Sequence, residues 1–312
     1  MRVLIVGSAG QDGSLLVDNF LKLGHTVFGS SLSQGYYPSI NSGNYHQMFV
    51  QLSDWVIAKK VLDELKPDYI FHMGAVHAAS GDMKALGEHS RGDMYLCHVS
   101  ITLNILEWMR VNYKSKLVVA LSSQMYSPKN ENVIIDESAA TSPSSVYGET
   151  KSEAFTLIKK YREDYQVWVS GAILFNHTSI RAKSSFLFPQ IAQQFRENER
   201  MGGGIIKVRN ANSYLDISSA VEVCSGLVKM IFADVPEDFV FGSGKLCQIK
   251  DLIYKVSKLM GEIHEYEIVS ENSTPGGPQL VSNPRKAQEI LGWSPVLTPE
   301  EILAQMIEGK LA

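Results

Sequence analysis

The chain has 312 residues, 45% of them hydrophobic and 20% charged, with a formal net charge of −4. That length predicts one large domain or a domain with an appended lobe. No apolar run reaches the roughly 20 residues that span a bilayer, and no run of one charge sign marks a nucleic-acid or membrane surface, so neither partner is expected. In chain order, "VLIV" (3–6) reads as a buried strand and residues 11–23 as an amphipathic helix. "TVFG" (26–29) and "QMFVQL" (47–52) read as the second and third strands, and Asp54 is placed to cap a helix running to about Leu65. "YIFHMGA" (69–75) is the fourth strand, "KLVVALSS" (116–123) the fifth and "VWVSGAILF" (167–175) the sixth, with helices over 92–111 and 146–165 between them. This alternation predicts an α/β fold with a doubly wound parallel sheet covered on both faces.

After Phe175 the alternation loosens. Helices over 186–198, 218–232, 249–260 and 299–307 mix with short strands and with Gly/Pro turns such as "STPGGP". Residues 1–175 are therefore expected to bind a dinucleotide, and 176–312 to form a smaller lobe that carries substrate and interleaves with the sheet. The three cysteines, Cys97, Cys224 and Cys247, are far apart and odd in number, which fits reduced thiols in a cytoplasmic protein. None of the eight histidines stands at metal-ligand spacing, and no metal is expected.

"GSAGQDG" follows the first strand directly and spaces Gly7, Gly10 and Gly13 as G-x-x-G-x-x-G. Between a strand and a helix such glycines let the backbone approach a pyrophosphate, which then sits on the amide-rich helix start. The plain alternative is a tight strand-to-helix turn. The end of the second strand, "GSSLSQG" (29–35), has neither the acidic residue that would bind ribose hydroxyls nor an arginine for a 2′-phosphate. Ser30 and Ser31 offer hydroxyls to either, so NAD and NADP both stay open.

The fifth strand ends in "LSSQMYS", placing Ser122 and Ser123 at the carboxyl edge where open parallel sheets bind ligands. In "SSVYGETK", Tyr147 heads a helix with Lys151 one turn on, on the same face. Taken alone, such a pair is a common helical aromatic beside a lysine. A glycine loop, an edge serine and a Tyr–Lys pair in this order resemble the extended short-chain dehydrogenase/reductases, with a Rossmann-type fold. "GSAGQDGSLL", "GAILFNHTS" and "NPRKAQEILGWSP" are similar to the GDP-mannose 4,6-dehydratases and their sister GDP-6-deoxy-4-keto-mannose reductases.

The resemblance implies that Ser122 orients the reacting oxygen, Tyr147 is the acid/base, and Lys151 lowers the tyrosine pKa. It places the cofactor on Gly7, Gly10, Gln11, Asp12, Gly13, Ser30, Leu52 and Ala75. It places a nucleotide sugar, GDP-linked, against Ser123, Gln124, Asn176, Arg181 and Arg209. The plain alternative for Asn176 and His177 is a capped strand-end turn. The helices over 92–111 and 146–165 resemble those that pair in homodimers of the superfamily.

The chain departs from the dehydratases where they carry the glutamate that removes the sugar C5 proton: Gln124 stands there, and an amide cannot accept the proton. The family's relay asparagine aligns with His98, which is also readable as a space-filling histidine. Its diphosphate-clamping arginines are replaced in "NSYLDI" (212–217) and at Gly277–Pro278. The expectation is an NAD(P)-dependent ketoreductase or dehydrogenase acting at C4 of a nucleotide sugar. A 4,6-dehydratase or epimerase is the alternative, and an NAD(P)-binding sensor the non-enzymatic one.

Overall fold

The computed structural model describes residues 1–32, 38, 43–76, 91–112, 114–128, 130–199, 201, 203–259, 265–272, 274 and 276–310. Its first half runs β1 (Arg2–Val6), α1 (Gln11–Lys22), β2 (Thr26–Ser30), β3 (Tyr45–Met48), α2 (Trp55–Leu65) and β4 (Tyr69–His72). A single helical rod follows: α3 (Arg91–Tyr95), a π-helical turn at Leu96–Ser100, and α4 (Ile101–Asn112). Then come β5 (Lys116–Ser122), β6 (Val133–Ile135), α5 (Val146–Tyr165), β7 (Val169–Leu174) and β8 (Asn176–Thr178). The remainder is α6 (Leu187–Glu199), β9 (Gly203–Val208), β10 (Tyr214–Ser219), α7 (Ala220–Ile231), β11 (Phe239–Phe241), β12 (Leu246–Gln248) and α8 (Ile249–Leu259). It ends with β13 (Glu265–Ser270), β14 (Leu280–Ser282), α9 (Arg285–Leu291) and α10 (Pro299–Ile307).

A seven-stranded sheet has the order β11-β7-β5-β4-β1-β2-β3, and its neighbouring strands pair in parallel. The order reverses direction between β1 and β4, the switch point of a doubly wound Rossmann sheet. Its strands are almost wholly apolar because both faces are covered. On one face Leu16, Phe20 and Leu227 pack with Phe71, Phe241 and Trp293; on the other Leu62, Ile105, Phe155 and Ile158 pack with Leu4, Val119 and Ile173. A separate core of Ile191, Phe195, Ile206, Leu252, Ile253 and Leu303 holds the lobe. The chain returns from the lobe through α7 and β11 to complete the sheet, so the sheet's last strand comes from beyond residue 175.

Several boundaries shift from expectation. The third strand begins at Tyr45 and stops at Met48, because β2 offers only Val27–Ser30 as partners; Phe49 beyond it is 61% exposed. The helix over 92–111 contains the π turn, which periodicity does not reveal. Asp54 caps α2 as expected, accepting from the Ile57 N–H at 3.0 Å.

Candidate active site

The glycine loop lies where the carboxyl ends of β1 and β4 converge. Gly7 has φ +86°, and a Cβ on it would stand 2.6 Å from the Gly74 nitrogen. A Cβ on Gly13 would stand 2.1 Å from the Gly7 carbonyl oxygen, so the first turn of α1 can close onto the loop only without a side chain there. Gly10 occupies the N-cap of α1 and offers no side-chain cap. The Ser8 hydroxyl is buried beside the loop with no hydrogen-bond partner among the described residues. A side-chain-free cradle, a helix start with no side-chain cap and an unsatisfied hydroxyl fit the pyrophosphate of a dinucleotide.

Other cofactor positions are more committed than the sequence suggests. The Ser30 hydroxyl points to the Val50 carbonyl at 3.4 Å, and the Ser30 carbonyl accepts from the Gly7 and Ser8 amides at 2.8 and 3.1 Å. Ser31 accepts from Gln47 at 3.1 Å. Leu52 is buried in the sheet core, its carbonyl taken by Asn104 at 2.9 Å. Ala75 is exposed just past Gly74, at the crevice. Residues 33–35 of the ribose-side segment lie outside the described residues.

Ser122 closes β5 and starts a short 3₁₀ turn, accepting from the Gln124 amide at 3.1 Å. Ser145 caps α5 by accepting from the Gly148 amide at 3.1 Å. A Cβ on Gly148 would stand 2.1 Å from the Gln124 carbonyl oxygen, so glycine beside Tyr147 lets the head of α5 dock on that turn. The docking brings Tyr147 into a hydrogen bond with Ser122. Lys151 is 2% exposed; its Nζ donates to the Ala120 carbonyl at 2.7 Å and lies 5.8 Å from the Tyr147 ring centroid. Serine, tyrosine and lysine thus converge from β5 and α5 at the carboxyl edge of the sheet.

Their electrostatics are dominated by burial. Burial pushes the Tyr147 phenol well above its ordinary value; the Ser122 hydrogen bond opposes this, while Cys97 and Asp12 add to it. Burial pulls the Lys151 ammonium down to about 8, and its Nζ donates to the Ala120 carbonyl. The Tyr147 phenol therefore stays protonated at neutral pH.

His98, in the π turn, meets the Tyr147 ring edge-on, with centroids 5.1 Å apart. Its Nε2 accepts from the Val76 amide at 3.2 Å, which puts the proton on Nδ1, 2.8 Å from the Thr150 hydroxyl. Both ring nitrogens are thus engaged within the protein. Gln124 is half-buried and accepts from Ser145 at 3.4 Å; Ser123 is likewise half-buried on the same turn. The carboxylates nearest in sequence are occupied elsewhere: Glu149 pairs with Arg91 at 3.3 Å, and Asp136 accepts from the Ser138 amide and hydroxyl at 2.9 and 2.6 Å.

The expected substrate residues scatter. Asn176 is exposed at the head of β8 and donates to the Asp216 carbonyl at 3.2 Å. Arg209 is exposed at the end of β9. Arg181 does not stand with them: its guanidinium reaches Ser14 at 3.2 Å and Asp18 at 2.5 Å, both on α1. Its guanidinium is thus paired with a partly buried carboxylate. Two hollows open in the lobe, of about 360 and 220 Å³; the smaller is lined by Asn132, Tyr214, Leu246, Gly276, Gly277 and Gln279.

Three features of the site carry no spacing signal in the sequence. His72, at the end of β4, donates to the Cys97 carbonyl at 3.0 Å; burial pulls it to about 3, and its Nδ1 has no partner among the described residues. Cys97 lies close enough to Tyr147 and Lys151 to influence both. Asp12 and His177 form a buried pair at 3.0 Å. Burial pushes the Asp12 carboxyl up, but His177 with Gln11 and Lys151 brings it below its ordinary value; burial pushes His177 down, but Asp12 with the Phe175 carbonyl brings it above, so each favours its charged form. Among the described residues no group of three or more metal-ligating side chains is arranged to hold an ion, and no helix is long and apolar enough to cross a membrane.

Residues 4–306 match the GDP-mannose 4,6 dehydratase family. The chain belongs to this family. Its relatives include the GDP-mannose 4,6-dehydratase of Yersinia enterocolitica, 26% identical over 99% of this chain and 94% of that one. The GDP-mannose 4,6 dehydratase 2 of Caenorhabditis elegans is 25% identical over 99% of this chain and 88% of its own. Among solved structures, a dTDP-glucose 4,6-dehydratase of Bacillus anthracis in complex with NAD superposes with TM-score 0.79 at 17% identity, covering 99% and 96% of the two chains. The UDP-glucuronic acid 4-epimerase of Bacillus cereus, with UDP-glucuronic acid and NAD, gives 0.79 at 19%, covering 99% of each. These likenesses place the fold among the extended epimerases and dehydratases.

Proposed function

We propose that this family member is an NAD(P)-dependent enzyme that transfers a hydride at C4 of a nucleotide-linked sugar, GDP-linked by its relatives' names, and acts as a 4-ketoreductase or C4 dehydrogenase. The observation that carries the reading is the Ser122–Tyr147–Lys151 convergence beside a glutamine. A nicotinamide dinucleotide whose pyrophosphate is cradled by Gly7, Gly10 and Gly13 would supply or accept the hydride. Ser122 and Tyr147 hold the sugar C4 oxygen between two hydroxyls. Because burial keeps the phenol protonated, Tyr147 is poised to give its proton to a carbonyl oxygen, and Lys151 is near enough to stabilise the phenolate left behind. Gln124 offers no base for the C5 proton, and Glu149 and Asp136 are engaged elsewhere.

The names of the curated relatives favour a second reading, a 4,6-dehydratase with a displaced base. Incubating the protein with GDP-mannose, and with its 4-keto-6-deoxy derivative, in deuterated water separates the two. The first reading predicts oxidation of NAD(P)H by the keto sugar without deuterium at C5. C5 deuterium and a 4-keto-6-deoxy product from GDP-mannose, with no net nicotinamide change, would establish the dehydratase.

The same reading divides labour between 1–175, for the dinucleotide, and 176–312, for the nucleotide sugar around Asn176, Arg209 and the lobe hollows. It assigns the free thiols of Cys97, Cys224 and Cys247 to the cytoplasm. It assigns the α3–α4 rod and α5, where Leu96, Val111 and Tyr165 are exposed, to a homodimer contact that light scattering would detect.

A further inference from the structure

One face of α1 carries polar residues where a core-facing helix would be apolar. Gln11, Ser14 and Asp18 stand at i, i+3 and i+7 and share that face. Opposite them β8 runs into a turn over 179–182, and His177, Ser179 and Arg181 of this stretch meet the helix. Gln11 donates to the His177 carbonyl at 3.5 Å and accepts from the Ser179 hydroxyl at 3.2 Å. His177 pairs with Asp12, and Arg181 binds both Ser14 and Asp18. Ser14, Asp18 and Ser179 are 3%, 7% and 0% exposed. A polar seam this deep is directional, since misplacing one member leaves another buried and unsatisfied.

We infer that this seam is a latch by which occupancy of the glycine loop sets the strand end bearing Asn176, with Arg181 as a positioning residue for the reaction. At one end the latch is anchored in the first turn of α1, beside Gly10 and Gly13. At the other it continues into β8, which pairs with β10 from Asn176 to Thr178. β10 carries Asp216, whose carboxylate gathers Ser243, Gly244 and Ser282. A dinucleotide that orders the loop therefore orders β8 and Asn176 at its head. The inference rests on the reading of the glycine loop as a dinucleotide site, and is independent of which sugar is reduced.

Hydrogen–deuterium exchange of the full chain, with and without saturating NAD and NADP, tests it. Dinucleotide is expected to slow exchange in 7–14 and also in 176–182, the latter by about fivefold or more. In Asp18→Asn and Arg181→Met, 7–14 stays protected while the response of 176–182 falls to about onefold; Arg181→Lys, which keeps charge without the fork, lies between. A wild-type 176–182 segment that ignores a dinucleotide protecting 7–14 overturns the latch, as do variants that respond like wild type. Failure of either dinucleotide to protect 7–14 overturns the latch and the dinucleotide reading together. Loss of the catalytic reading alone would appear instead as turnover that survives Tyr147→Phe.

Discussion

The proposed proton donor Tyr147 is held protonated by burial, and Lys151 beside it titrates nearer neutral pH. Lys151 is charged below about pH 8 and neutral above it in the folded chain, against 10.5 for an ordinary lysine. The unfolded chain therefore holds a proton that the folded one has shed between about pH 8 and 10.5, so this residue's contribution to stability rises with pH across that window. Melting temperatures of wild type and Lys151→Met measured from pH 7 to 10.5 should converge as the pH rises, if charge burial is the cause. Catalysis should run the other way and weaken as the ammonium is lost above about pH 8. Gln124 makes a second residue-scale prediction. Gln124→Glu should raise exchange of the substrate C5 proton with solvent by about 100-fold or more, the lower range for a positioned base, followed by NMR in deuterated water. These residues were legible because serine, glutamine, tyrosine and lysine (122, 124, 147 and 151) follow one another in a recognisable order. The direction of the tyrosine shift was not, because it depends on burial and on Cys97 and Asp12, which approach from other elements.

Elements set these distances through close approaches that only glycine allows. Gly13→Ala would drive a Cβ to 2.1 Å from the Gly7 carbonyl oxygen. Overpacking of that kind costs about 1–3 kcal/mol; because it strikes the loop, it should appear as a dinucleotide Kd raised by about one to two orders of magnitude in calorimetry. An unchanged Kd would mean that the loop does not bind the cofactor. The loop could be read from Gly7, Gly10 and Gly13 alone, since a strand–turn–helix context is local. The π turn at Leu96–Ser100 could not, because one inserted residue leaves the apolar stripe of α4 intact. Nor could the pairing of Arg181 with Asp18: their separation along the chain is 163 residues, and an arginine after a strand end looks the same whether it faces a phosphate or a carboxylate.

Across the whole molecule, the sheet is closed by a strand from the far side of the lobe. The alternation of the first half predicted six parallel strands, but Phe239–Phe241 is too short to announce itself as a seventh. Asp216 ties the segments of the second half together. Its carboxylate is 1% exposed and accepts from the amides of Ser243, Gly244 and Ser282 and from two serine hydroxyls, at 2.6–3.2 Å. Asp216→Ala strands several buried donors and should lower stability in denaturant titration by about 3 kcal/mol or more, whereas a surface aspartate would not register. The measurement that reaches the centre of the account is the rate of NAD(P)H oxidation by GDP-4-keto-6-deoxymannose for wild type and Tyr147→Phe. A wild-type rate cut by about 10²- to 10⁴-fold in the variant, with dinucleotide still bound, is the result predicted. Equal rates in the two proteins, or no oxidation by wild type with the keto sugar present, would contradict it.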